Sequence, residues 1–121
     1  MNNIYYAHSK LIYSDEREED ESSWLRIKYD KVTCPHYDLG DLGSQERYFD
    51  VISKCDAIVC SEFVDHVGRG VYGEINYALK HDIPVYCMRK YNGNYRLHKV
   101  VSIIINDEDD WSRKYAKLNL K

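Results

Sequence analysis

Five short apolar runs alternate along the chain with stretches whose apolar residues have helical spacing. Runs that are continuously apolar are typical of strands buried on both faces of a parallel sheet. In the stretch after the third run, Val71, Ile75, Ala78 and Leu79 fall on one side of a helix. The runs occupy residues 3–7, 32–35, 57–60, 83–88 and 100–105, and the predicted helices occupy residues 14–28, 44–52, 71–79 and 107–120.

Strands that alternate with helices predict an α/β fold. We expect a Rossmann-like or flavodoxin-like three-layer sandwich, in which a five-stranded parallel sheet of order 2-1-3-4-5 carries helices on both faces. The chain has 121 residues, which suffice for one hydrophobic core but not for two. Residues 1–121 should therefore form a single domain.

Composition narrows the classes of partner. The net charge is −3 with both signs spread along the chain, which disfavours a surface for polymeric nucleic acid. No run approaches the ~20 apolar residues of a membrane span and no signal-peptide pattern opens the sequence, so a cytoplasmic location is expected. The four cysteines lack C-x-x-C spacing and are interpreted as buried free thiols, and the five histidines lack metal-ligand spacing. Neither a metal nor a cofactor is expected.

A glycine-containing loop follows the third run, at the strand end where ligands of parallel sheets bind. Gly68, Gly70 and Gly73 match the pattern G-x-G-x-x-G. A dinucleotide site is disfavoured, because that pattern normally follows the first strand through a tight turn. The favoured interpretation is that the glycines let the backbone approach a ligand, beside a helix N-terminus suited to an anion.

Three carboxylates frame the same region. Asp56 and Glu62 flank the third run, and Glu74 lies at the edge of the buried face of the next helix, in its predicted first turn. Each has an ordinary interpretation: Asp56 as a cap, Glu62 as an exposed strand end, and Glu74 as an acid that complements the helix dipole. A carboxylate at a buried edge beside a glycine loop is also a candidate nucleophile.

Three segments, IYYAHS (residues 4–9), CDAIVCSE (55–62) and GRGVYGEINYAL (68–79), resemble the nucleoside 2-deoxyribosyltransferase-like superfamily, including its nucleoside 5′-monophosphate N-glycosidases. The resemblance implies that Glu74 is the nucleophile, that Asp56 orients the substrate or handles a proton, and that Tyr5 holds the nucleophilic carboxylate. The first loop departs from the family, since it reads His-Ser-Lys-Leu where members have Gly-Ser. The residues that match the family's substrate-binding positions are Ser9, Gly68 and Gly70.

The predicted reaction is cleavage of the N-glycosidic bond of a nucleoside or nucleotide. Its oxocarbenium-like centre can be attacked by Glu74 while Asp56 assists the departing base, and the sugar passes to water or to another base. Lys10 and Arg69 supply positive potential for a 5′-phosphate, and Glu62 is a further candidate for substrate binding.

Two other functions remain open from the sequence. A non-catalytic nucleotide or ADP-ribose-type signal binder could use the same cleft, and so could an NAD-cleaving glycohydrolase. Measurement of base release from deoxynucleotides, ribonucleotides and NAD would separate them. The resemblance also implies a homodimer, because members of this family often complete their site from a neighbouring subunit.

Overall fold

The computed structural model describes residues 2–40, 42–63, 65–105 and 116–121. The strands are β1 (Asn3–Ala7), β2 (Lys31–Thr33), β3 (Ala57–Cys60), β4 (His66–Val67), β5 (Val85–Tyr91), β6 (Asn94–Ile105) and β7 (Ala116–Leu120). The α-helices are α1 (Glu16–Lys28), α2 (Gln45–Ile52) and α3 (Arg69–Lys80). Within the described ranges the fold is α/β, with one mixed sheet of seven strands in the order β2-β1-β3-β5-β6-β7-β4.

One half of the sheet is parallel. β1 lies between β2 and β3, with Ile4 opposite both Val32 and Ala57, and β3 pairs in parallel with β5. All four residues of β3 are buried. A strand that is covered on both faces has no position for a solvated side chain, which is why these runs are continuously apolar.

Helices cover both faces of this parallel half. Neighbouring residues of a strand point to opposite faces, and β1 shows this at two tyrosines. Tyr5 packs with Ile58 and with Ile75 of α3, whereas Tyr6 packs in a separate cluster with Leu25 of α1. The phenol of Tyr5 is therefore directed toward the face that carries α3, and that of Tyr6 toward α1.

The predicted parallel order of five strands is wrong, because the strand after β5 runs antiparallel. β5 and β6 form a hairpin whose two-residue turn, Asn92-Gly93, has φ angles of 49° and 84°. Two consecutive positive φ angles are typical of a type I′ turn, which matches the twist of an antiparallel pair. A parallel connection needs a crossover of a dozen or more residues, usually a helix, and none fits between Tyr91 and Asn94.

The predicted closing helix over residues 107–120 is wrong for its last five residues. Ala116–Leu120 form β7, which pairs antiparallel with both β6 and β4. Ala116 and Leu118 are buried while Lys117 between them is exposed, so the segment has the two-residue period of a strand. The rest of that predicted helix, including Trp111 and Tyr115, lies outside the described residues.

The amino-terminal helix is confirmed. Residues 15–21, most of which are acidic, form the cap and first turns of α1. The Asp15 side chain accepts a hydrogen bond there from the N–H of Glu18. The predicted loop after β2 is partly helical, since Pro35–Leu39 form one turn of π-helix.

None of the helices in the described ranges is long and apolar enough to cross a bilayer. The four cysteines are free, and Cys55 alone among them is only partly buried.

Candidate functional site

A cavity of about 510 Å³ lies at the carboxyl end of β1, between the loop after that strand and the start of α3. Seven of the nine site residues predicted from the sequence line it. These are Tyr5, Ser9, Lys10, Gly68, Arg69, Gly70 and Glu74.

Glu74 and Tyr5 form a pair on the wall of this cavity. The Tyr5 hydroxyl donates a hydrogen bond to Glu74 Oε2. Burial raises the pKa of Glu74 to about 7, and the hydrogen bond from Tyr5 opposes that rise. Burial, followed by the charge of Glu74, raises the pKa of Tyr5 well above its ordinary value, so the phenol stays a donor. The arrangement holds one carboxylate oxygen in place and leaves the other for a ligand.

The helical position of Glu74 differs from the prediction. α3 begins at Arg69, so Glu74 is its sixth residue and no acid lies in the first turn. The helix dipole acts over the first turn only, so it gives Glu74 little help in staying ionised. Desolvation therefore dominates, and the pKa rises where the dipole would have lowered it.

The first turn of α3 also lines the cavity. Gly68 is the N-cap. Because glycine has no side chain, the first N–H groups of this helix have no side-chain acceptor at the cap position. A Cβ built on Gly70 meets no atom within 4 Å, which shows open space in front of that residue. Arg69 of this turn and Lys10 across the cavity both line it, so the site combines helix N–H groups with two cations.

The loop after β1 brings Ser9 and Lys10 to the cavity. Ser9 caps a 3-10 helix, Lys10–Ile12, and its Oγ accepts a hydrogen bond from the N–H of Leu11 at 3.1 Å. The hydroxyl hydrogen of Ser9 remains available to donate. The loop after the first strand thus contains a short capped helix that presents a hydroxyl and an ammonium group.

Asp56 is at the other end of the sheet, which corrects its predicted role. It precedes β3, and its Oδ2 accepts hydrogen bonds from the N–H groups of Asn2 (3.0 Å) and Asn3 (2.9 Å). These two bonds lower the pKa of Asp56, so it is an ionised acceptor and not a proton donor. Asp56 anchors the start of β1 and does not reach a ligand in the cavity.

Glu62 does not line the cavity either. Its carboxylate accepts a hydrogen bond from the N–H of Asp65, and its Oε1 lies 3.6 Å from Nε of Arg89. Arg89 also donates to Asp65, and Arg17 of α1 donates to the backbone carbonyl of Glu62. Glu62 is therefore part of an ionic network that shapes the loop after β3.

Sequence reasoning missed the aromatic side of the cavity. Tyr48 donates a hydrogen bond to the carbonyl of Gly40 at 2.7 Å, and Tyr13 stacks on His36 with ring centroids 4.1 Å apart. Both tyrosines line the cavity. The high number of tyrosines, 12 in 121 residues, was the available signal, but it does not show which rings face a ligand.

Comparison of the chain with protein-family models, with curated proteins and with solved structures gives no match. The arguments for function therefore rest on the residues and the geometry of the cavity.

Proposed function

We propose that this chain cleaves the N-glycosidic bond of a (deoxy)nucleoside or nucleoside 5′-monophosphate, with Glu74 as the nucleophile. The observation that carries the proposal is the Glu74 carboxylate, held by Tyr5 on the wall of a cavity that also contains Lys10 and Arg69. The resemblance to the nucleoside 2-deoxyribosyltransferase-like superfamily assigns the same roles to Glu74 and Tyr5.

The reaction begins when one oxygen of Glu74 attacks C1′ of the sugar. The electrons of the glycosidic bond leave with the base, which takes up a proton from solvent. The resulting glycosyl ester is then opened by water, which makes the enzyme a hydrolase, or by a second base, which makes it a transferase. Tyr5 keeps the attacking carboxylate in one orientation, which reduces the entropy lost on reaching the transition state.

The cavity fits a ligand of nucleotide size. Its volume of about 510 Å³ lies within the range of small-molecule sites, roughly 300–1,000 Å³. We infer that a 5′-phosphate lies between Lys10, Arg69 and the first turn of α3, where charge-assisted hydrogen bonds and helix N–H groups are available together. The sugar then lies toward Glu74 and the base toward the tyrosine side.

The decisive experiment is a base-release assay combined with trapping of the glycosyl-enzyme. The protein is incubated with deoxynucleotides, ribonucleotides and NAD, and free base is measured by chromatography. Quenched samples are digested and the peptide that carries Glu74 is examined by mass spectrometry for an added sugar. Glu74→Gln is the matched control, since it retains size and hydrogen bonding but cannot form the ester. Base release with a sugar on Glu74 supports the proposal, and release without a sugar on Glu74 contradicts the assigned nucleophile.

One observation favours a second function, a non-catalytic nucleotide binder. Among the described residues, Glu74 is the only carboxylate that lines the cavity, because Asp56 and Glu62 lie elsewhere. A glycosidase usually has a second acid, whereas a binder needs one carboxylate to accept hydrogen bonds from ribose hydroxyls. Tight binding of a nucleotide without release of base from any compound in the panel would support the binder. Release of nicotinamide alone would indicate the NAD-cleaving enzyme.

We further propose that the chain acts as a homodimer in the cytoplasm. The cavity is open to solvent, and in the family that the chain resembles a neighbouring subunit often completes the site. Light scattering at micromolar concentration tests the assembly, and a monomer at that concentration would contradict it.

A further inference from the structure

A second cluster of reactive side chains lies beside the cavity and takes no part in the proposed reaction. His8 follows β1, Glu18 lies in the first turn of α1, and Cys34 follows β2. All three residues are buried, and one donor atom from each lies within 4.8 Å of the other two. Three segments far apart in sequence thus bring an imidazole, a carboxylate and a thiol to one point.

The hydrogen bonds of His8 fix which of its nitrogens faces the cluster. Nδ1 lies 3.1 Å from the carbonyl oxygen of Tyr6, which can only accept, so Nδ1 carries the hydrogen. In the neutral ring Nε2 then carries a lone pair and no hydrogen, and it lies 2.5 Å from Glu18 Oε2. Two acceptors this close to each other need a positive charge between them, either a proton or a metal ion. In a metal-bound histidine one ring nitrogen binds the metal, and the other usually donates a hydrogen bond to a carbonyl or carboxylate oxygen.

The Glu18 carboxylate is held in place by hydrogen-bonding partners on both of its oxygens. Glu18 Oε1 accepts a hydrogen bond from the N–H of Ser14 at 2.8 Å, which leaves Oε2 for the cluster. Nδ1 of His36 lies 3.0 and 3.1 Å from the two oxygens of the same carboxylate. Cys34 is a buried free thiol at this point, and a bound divalent cation would favour its thiolate form.

We propose that His8 Nε2, Glu18 Oε2 and Cys34 Sγ bind a zinc ion, with water as the fourth ligand. Zinc accepts histidine nitrogen, carboxylate oxygen and thiolate sulfur, and three protein ligands with one open position are the arrangement of catalytic zinc sites. One thiolate and one carboxylate neutralise the two positive charges of the ion. This attraction offsets the desolvation cost of burying charged groups in the cluster. His36 acts as the outer partner that orients the carboxylate.

Binding of zinc requires donor atoms of the cluster to move by about 1 Å. Zinc binds these donors at about 2.0–2.3 Å in a tetrahedron, which separates neighbouring donors by about 3.3–3.6 Å. The three donors lie within 4.8 Å of one another, and the His8 and Glu18 atoms at 2.5 Å move apart when the ion replaces the proton. The ion can enter from the cavity, because His8 and Pro35 line it.

This site was outside the reach of the sequence analysis, which expected no metal because no histidine and cysteine have ligand spacing. The three ligands come from separate elements of the parallel half, so only the fold brings them together. A zinc ion here would tie β1 and β2 to α1 and thereby fix the loop with Ser9 and Lys10 at the wall of the cavity.

The test is a titration of the chelator-treated full-length chain with Co²⁺, which replaces zinc and reports its ligands by absorption. We expect one equivalent to bind, with a thiolate-to-cobalt charge-transfer band and the d–d bands of a four-coordinate ion. Cys34→Ser should abolish the charge-transfer band. Cys55→Ser, which changes a partly buried cysteine outside the cluster, should leave it unchanged. His36→Gln should keep the band but weaken affinity by about 10–100-fold, as expected for an outer partner.

A second measurement covers variants that fail to fold. Zinc added to the chelator-treated native chain should raise its melting temperature, since a ligand that binds only the folded state stabilises it. No band and no thermal shift in the native chain would show that a proton joins His8 and Glu18 and would overturn the proposal. A band that survives in folded Cys34→Ser would overturn it as well. Neither readout involves a nucleotide, so this result is independent of the glycosidase proposal.

Discussion

The substitution Glu74→Gln should have opposite effects on activity and on stability. The amide keeps the size of the side chain and can still accept the hydrogen bond from Tyr5, but it cannot attack C1′. Base release should therefore fall by orders of magnitude, about 10³-fold or more, while nucleotide binding is largely retained. The same change removes a buried charge, and this should make the folded protein more stable at neutral and alkaline pH.

The magnitude follows from the pKa of Glu74, which burial raises from 4.5 to about 7. Between these pH values the unfolded chain has lost the proton and the folded chain keeps it, so native stability falls as pH rises. Above pH 7 both states are ionised and the full cost, about 3 kcal/mol, is present. This is an upper limit, since the side chain is only partly shielded from solvent at the cavity wall. Below pH 4.5 Glu74 is protonated in both states and the cost disappears.

The assay is urea unfolding at pH 4, 6 and 8, followed by circular dichroism. Glu74→Gln should match the native chain at pH 4 and exceed it in free energy of unfolding by up to about 3 kcal/mol at pH 8. Glu46→Gln, at an exposed position of α2, is the control and should not show this divergence. A Glu74→Gln protein that is less stable at pH 8 would refute the argument from burial. Full activity in that protein would refute the assignment of the nucleophile.

Four further outcomes are expected. Tyr5→Phe should lower turnover less than Glu74→Gln does, because it removes one orienting hydrogen bond and leaves the carboxylate; steady-state rates give the ranking. Arg69→Ala should weaken the binding of a 5′-monophosphate about tenfold or more and spare the free nucleoside, as measured by calorimetry; equal losses would mean a structural role. Gly70→Ala should stabilise α3 by up to about 1 kcal/mol in thermal unfolding, since its Cβ meets no atom, yet lower the affinity for a ligand that approaches the backbone there. Base release should rise with pH through about 7, as Glu74 becomes ionised, and a rate that falls over this range would contradict its role.

The parallel half of the fold was predictable because its strands are buried on both faces. A continuously apolar run such as Ala57–Cys60 has few alternatives, and the helix after it has a clear apolar face. The pair Tyr5 and Glu74 was predictable from the resemblance, which matched both residues in the same order. Periodicity alone could not pair them, since 69 residues separate them along the chain.

The errors arose where two local interpretations fitted the same residues. Leu118 lies at helical spacing from Trp111 and Tyr115 and at strand spacing from Ala116 and Leu120, and pairing with β6 decided for the strand. Asn92-Gly93 lies between two of the predicted strands, and an Asn-Gly pair between β-prone segments is a strong signal for the antiparallel hairpin that the structure shows. Asp56 was assigned to the site through the resemblance, and Glu62 through its place at the carboxyl end of a strand. A strand of four residues between them carries Asp56 to the amino edge of the sheet, away from the cavity.

The antiparallel half, which the sequence did not predict, has a direct effect on the position of the Glu74 carboxylate. β4 (His66–Val67) immediately precedes Gly68, the N-cap of α3. Its two residues pair with Lys117 and Ala116 of β7, and the N–H of Leu118 donates to the carbonyl of Asp65 at 2.8 Å. These backbone bonds fix the point at which α3 begins. Because Glu74 lies one and a half turns further along the same helix, a shift in this pairing would move its carboxylate relative to Tyr5 on β1. The edge of the sheet that carries no predicted site residue thus sets the register of the helix that carries Glu74.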